Sequence, residues 1–158
     1  MRKIIILSVC ALLIGACSSV ECPLNNTVLS VYALKGDVDT LADTLTISTI
    51  KRNGNDTVLL NQVVNTSSFK LPVSYAQDVD MLIFTMTDTL NVTRKDTVNV
   101  SKTNEPHFES VDCGPSYFHT ITGVSYTKNA IDSIVISTPR ITYDANQEHF
   151  YIYFKSRD

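Results

Sequence analysis

The feature that most constrains this chain is the alternation of its short segments. "TLTISTI", residues 44 to 50, puts Leu45, Ile47 and Thr49 on one side of an extended strand and Thr44, Thr46 and Ser48 on the other. A period of two with one apolar and one hydroxyl-rich side marks a strand of an antiparallel sheet with one wet face. Beyond residue 24 such segments recur, rich in Val, Ile, Thr and Tyr and broken by polar turns, and no 3.6-residue pattern interrupts them. Strands are expected at "TVLSVYAL" from 27, "TLTISTI" from 44, "TVLLNQ" from 57, "SSFKLPV" from 67, "DMLIFTMT" from 80, "TLNVTR" from 89 and "TVNVSK" from 97. Further ones follow at "HFESVD" from 107, "SYFHTITGVSYT" from 116, "DSIVIST" from 132 and "HFYIYFK" from 149. "RNGND" reads as an Asn-Gly hairpin turn, and "TRKDT" from 93 as a second reversal. Many short strands separated by frequent turns predict an all-β fold, a two-sheet antiparallel sandwich of immunoglobulin-like or transthyretin-like shape.

The N-terminus has a different grammar. Arg2 and Lys3 precede an uncharged apolar run of about a dozen residues, shorter than the ~20 needed to span a bilayer, and Gly15 and Ala16 stand before Cys17. This is an export signal, and "LIGAC" resembles the bacterial lipobox, in which cleavage falls before a cysteine whose sulfur carries lipid. The expected organisation is a lipoprotein signal peptide over 1–16, a lipidated N-terminus and short tether over 17–23, and a single β-sandwich domain over 24–158. Two or three acyl chains hold a protein stably on a membrane where one does not. With Cys10 lost in the signal and Cys17 lipidated, Cys22 and Cys113 remain. A disulfide between them would close a loop of about 90 residues and constrain the unfolded chain by roughly 4 to 5 kcal/mol; two unrelated buried thiols are the competing reading.

Charge excludes some partners. Arg2 and Lys3 leave with the signal, so 11 basic residues stand against 16 acidic ones in the mature chain, with no basic run. Nucleic acid is not an expected partner. The membrane is met through lipid.

The tripeptide Asp, Thr or Ser, then an aliphatic residue occurs at six positions where composition predicts about one. Its hydroxyls are Thr40, Thr44, Thr57, Thr89, Thr97 and Ser133. One cause is strand grammar, with Asp at the turn and a β-former entering the strand. The other is that the tripeptide resembles the O-glycosylation site of exported Bacteroidota proteins, which makes these six candidate modification sites.

There is no Gly-rich phosphate loop, no Gly-x-Ser-x-Gly and no Cys-x-x-Cys, and no catalytic residue is assigned. The densest polar cluster, "HFESVDCGPSYFH", offers His107, Glu109 and His119 as weak metal candidates; no metal or other cofactor is expected. Tryptophan is absent, and the tyrosines crowd the C-terminal third.

The lipobox, the cysteine soon after it, "DTLNVTRKDTVNVSKTNEPHFESVDCG" and "AIDSIVISTPRI" together resemble a family of small uncharacterised lipoproteins of gut Bacteroidota. The resemblance implies location and shape and no mechanism. Surface-exported lipoproteins of that lineage carry acidic residues directly after the lipidated cysteine, whereas "CSSVEC" has only Glu21, so the periplasmic face of the outer membrane is favoured over the cell surface. The expected function is a non-catalytic accessory, structural or protein-interaction module of the outer membrane, with an envelope protein as its unidentified partner. A small-molecule or glycan-binding lipoprotein is the alternative, and a metal-dependent enzyme is the third reading.

Overall fold

The computed structural model describes residues 28–50, 54 and 56–156. Ten strands and no helix are found among them: β1 (Leu29–Leu34), β2 (Thr44–Ile50), β3 (Asp56–Val63), β4 (Ser68–Pro72), β5 (Val79–Thr87), β6 (Thr93–His107), β7 (Ser116–Tyr126), β8 (Ile131–Ile136), β9 (Arg140–Ile141) and β10 (Phe150–Phe154). They form a four-stranded sheet, β4-β1-β10-β8, and a six-stranded sheet, β3-β2-β5-β6-β7-β9. The two pack face to face, so the expected all-β sandwich is what the chain forms. One contact departs from a wholly antiparallel scheme: β1 and β10, the first and last strands, run parallel, with Tyr32 opposite Phe150 and Leu34 opposite Ile152.

The alternation read in the sequence sets the inner faces. Leu45 and Ile47 of β2 are fully buried while Thr44, Thr46 and Ser48 are half-exposed. Leu82, Phe84 and Met86 of β5 and Val98 and Val100 of β6 complete one wall of the core. The opposite wall centres on Tyr32. Its ring lies between Phe69 of β4 and Phe150 of β10, with centroids 5.0 and 4.5 Å away and planes within 13° of parallel, because all three occupy opposed positions on adjacent strands. Phe84 reaches across from the other sheet and meets Tyr32 and Phe69 edge-on, at 6.3 and 6.0 Å. Edge-to-face and offset contacts of this kind add about 0.5–1.5 kcal/mol each to the burial of the rings. Burial, foremost, holds the Tyr32 hydroxyl protonated far above its ordinary range.

Three details differ from the sequence reading. The reversal expected at 93–97 lies just before it, at 88–92, and β6 then runs unbroken from Thr93. Here Asp88 Oδ1 accepts from the Leu90 and Val92 amides at 2.8 and 2.9 Å, and Asn91 takes the left-handed conformation at φ 61°. "HFESVD" forms no strand after His107; residues 108–115 are the loop of the long β6–β7 hairpin. The two-residue β9 carries too short a pattern to be read. At "RNGND", β2 and β3 do pair antiparallel and Gly54 has φ 79°, while residues 51–53 and 55 lie outside the described set.

The chain crosses from the six-stranded to the four-stranded sheet between β7 and β8, and one carboxylate fixes that crossing. Asp96, on the inner face of β6 and 2 % exposed, accepts from the Thr127 hydroxyl (2.6 Å) and from the amides of Asn129 (2.7 Å), Ala130 (2.7 Å) and Ile131 (2.9 Å). Burial pushes its carboxyl up, but the four hydrogen bonds together outweigh that and hold it below the usual carboxylate range. Replacing it strands buried amides, each costing about 1–3 kcal/mol. Asp96→Ala is therefore expected to lower stability by about 3 kcal/mol in urea denaturation, whereas Thr97→Ala next to it, which keeps the backbone amide that donates to Thr127 Oγ1, should cost less than about 1 kcal/mol.

Candidate binding cleft

β4 ends at Pro72 and the chain crosses to β5 at Val79, which leaves residues 73–78 spanning the gap between the sheets at one end of the sandwich. An open cleft of about 540 Å³ lies under this loop. Its walls are Ile50, Leu59, Pro72, Val73 and Leu82, with Thr49, Ser74, Ala76, Gln77 and Asp80 completing the lining. The cleft lies where β4 ends at Pro72, between the end of β2, Leu59 of β3 and the start of β5.

Beside the cleft the inner face turns polar. Asp80 begins the inward row of β5 and Lys102 ends that of β6; they sit 7 % and 3 % exposed and form a 3.0 Å ion pair. Lys102 Nζ also donates to the Gln77 carbonyl at 2.8 Å, and Gln77 Nε2 and the Ser74 amide donate to the Asp80 carboxylate at 3.2 and 3.4 Å. Asn104 continues the network, donating to the Gln77 carbonyl and to Asp78 Oδ1. Its own Oδ1 meets His119 Nδ1 at 2.8 Å. Burial first, then the nearby Lys102 cation, push the His119 imidazole down to about 4, so it is neutral at ordinary pH. His149, wholly buried, is likewise lowered by burial and accepts the Val31 amide on Nδ1 at 3.0 Å.

The fold scatters the candidates that the sequence singled out. Cys17 and Cys22 lie outside the described residues; Cys113 is buried at the β6–β7 loop, 7 % exposed. Of the tripeptide hydroxyls, Thr40 and Thr89 are exposed on loops, and Thr44, Thr57, Thr97 and Ser133 are half-exposed in or at strands. Their aspartates do structural work in several cases: Asp96 and Asp88 as above, Asp43 in a 3.5 Å pair with Arg94, and Asp132 accepting from its own Ser133. His107 and Glu109 do meet, at 3.2 Å. His119 is not with them, since it lies on the inner face against Asn104, while His107 stacks on Phe118 at 4.2 Å. No group of three or more His, Cys, Asp or Glu able to hold a metal ion occurs among the described residues. Tyr75 of the loop and Tyr117 of β7 stack at 4.6 Å with Tyr75 largely exposed.

The sequence reading missed Asp80, Lys102 and Gln77. A signal was there: Asp80 precedes Leu82 and Phe84, and Lys102 follows Val98 and Val100, at the same two-residue spacing, which places both charges on the buried side.

Among the described residues the chain is a two-sheet, helix-free β-sandwich with an apolar cleft at one end. The chain belongs to the DUF6452 family, a family of unknown function, which matches residues 29–154. No curated protein and no solved structure matches it.

Both buried histidines and the buried ion pair have measurable consequences. The folded chain keeps His119 and His149 neutral, whereas unfolding lets each take up a proton near pH 6.5; the unfolded state then binds more protons, so stability is complete above about pH 6.5 and falls as the pH drops toward 4. Urea midpoints across that window should show a loss on the order of 2–3 kcal/mol from His119, and His119→Gln should flatten the slope. Lys102→Met should cost about 3–5 kcal/mol because it leaves the Asp80 carboxylate buried without its cation, and the double change Asp80→Leu with Lys102→Met should recover most of it in a double-mutant cycle.

Proposed function

We propose that this protein is a lipid-anchored envelope protein that serves as a non-catalytic accessory, structural or protein-interaction module of the outer membrane, held through lipid on Cys17 and facing the periplasm. The observation that carries this reading is the "LIGAC" cleavage pattern directly upstream of a β-sandwich. Its β1 starts at Leu29, so no more than a dozen residues separate the lipid from the fold. The Cys22–Cys113 disulfide belongs to the same reading, with Cys113 buried at the β6–β7 loop. Oxidised pairs persist in exported compartments. Modification at Thr40, Thr44, Thr57, Thr89, Thr97 or Ser133 is an additional element, with Thr40 and Thr89 the most accessible of the six.

A second reading, a lipoprotein that binds a small molecule, is favoured by the cleft under residues 73–78. Its volume falls within the range of ligand sites, and its walls are apolar.

Intact mass of the native protein tests the anchor and the staple together. The expected result is a chain beginning at Cys17 with acyl mass attached, a gain of two hydrogens on reduction, and hexose steps removed by mild deglycosylation. A free Cys17 thiol would sink the anchor, and unpaired Cys22 and Cys113 the staple.

A further inference from the structure

The chemistry of the cleft names a class of ligand, an assignment that rests on the second reading above, in which residues 73–78 roof a binding site. The cleft has hydrocarbon walls, and its polar groups already have partners. The Asp80 carboxylate takes Ser74, Gln77 and Lys102, and the Thr49 hydroxyl donates to the Met81 carbonyl at 2.8 Å. A sugar or a charged head placed there would lose its water against walls that are mainly hydrocarbon, whereas a chain of methylenes would lose nothing. About 540 Å³ lies within the range of sites for a single small ligand.

Position points the same way. Pro72 and Val73, on the cleft wall, pair with the very start of β1: Pro72 stands opposite Leu29, and the Val73 amide donates to the Val28 carbonyl at 3.2 Å. The chain back to Cys17 therefore leaves from the rim of the cleft, and the eleven residue steps from Cys17 to Val28 reach at most ~37 Å. A cleft on so short a tether is held within reach of the leaflet that carries the anchor. The geometry points to a binding site for a single acyl chain, supplied by a fatty acid or single-tailed lipid of the surrounding envelope.

The test uses the mature chain with Cys17→Ser, which has no acyl chain of its own, titrated with cis-parinaric acid, an eighteen-carbon fatty acid that fluoresces on entering an apolar site. Saturable binding of one probe per chain is expected, displaced by palmitate and not by an oligosaccharide. Ala76→Trp, on the exposed loop, should weaken it at least tenfold without lowering the melting temperature appreciably, and Leu59→Lys, on the cleft wall and packed against the core, should weaken it at least tenfold with the melting temperature read alongside. Absence of saturable binding, or binding untouched by both substitutions, would overturn the proposal. The lipidated protein in lipid nanodiscs supplies a further arm. Uptake of the probe there as in the Cys17→Ser chain supports an outside lipid; refusal would put the Cys17 chain itself in the cleft and overturn that source. Failure of the anchor is read separately, from the intact mass, and leaves the probe result standing.

Discussion

The sandwich depends on one carboxylate. Two sheets packed through apolar side chains have no intrinsic register, because dispersion and the hydrophobic effect are largely indifferent to a small slide of one layer over the other. Asp96 removes that freedom. It stands on β6, an interior strand of the larger sheet, and grips residues 127 to 131 just where the chain enters β8 of the smaller one. Its charge is stabilised by three backbone amides and a hydroxyl, an arrangement that satisfies donors which the crossing would otherwise bury without partners. Tyr32 is then seated between Phe69 and Phe150 with Phe84 against its edge, and the aromatic cluster packs in one way.

The larger sheet is longer than the smaller, and the consequences are concentrated at one end. Where β4 stops, the inward faces of β5 and β6 would meet water or a void. The chain answers in two ways. Toward β6 and β7 the inward positions become polar, and Asp80, Lys102, Asn104 and His119 satisfy one another and the loop above them. Toward β2 and β3 they stay apolar, and the cleft opens. A buried ion pair of this kind contributes little net stability compared with an apolar pair of similar volume. What it does supply is a fixed position for the 73–78 loop, and thereby a fixed roof for the cleft.

The fold class was legible because alternation survives in β2, β5 and β6: Leu45 and Ile47, Leu82 and Phe84, Val98 and Val100 all face inward as their spacing requires. Local errors arose where a polar side chain has a tertiary partner. "TRKDT" looks like a turn until Arg94 and Asp96 are seen to point at Asp43 and at the β7–β8 crossing, neither of which is near in sequence. The same holds for the Asp-Thr pattern. Six copies suggested one shared cause, yet Asp88 closes a turn, Asp96 clamps two sheets and Asp43 pairs with Arg94, so the recurrence is in part several structural solutions that use the same short words. The cleft could not be read at all, since it arises from where β4 ends relative to its neighbours, a property of register rather than of any residue.

The parallel contact of β1 with β10 bears on the order in which the chain can close. Of the strands, β1 leaves translation first and β10 last, and Tyr32 and Phe150 stand 118 positions apart, so the central pair of the smaller sheet is also its most distant pair along the chain. Until β10 arrives, β1 has only β4 beside it, and β8 has no partner in its sheet. Loop-closure entropy makes such pairings slow to form. The meander β5-β6-β7 can assemble as it emerges, but the smaller layer waits for β10. A chain threaded through a membrane from its N-terminus would thus remain open-faced until β10 had followed the other strands across.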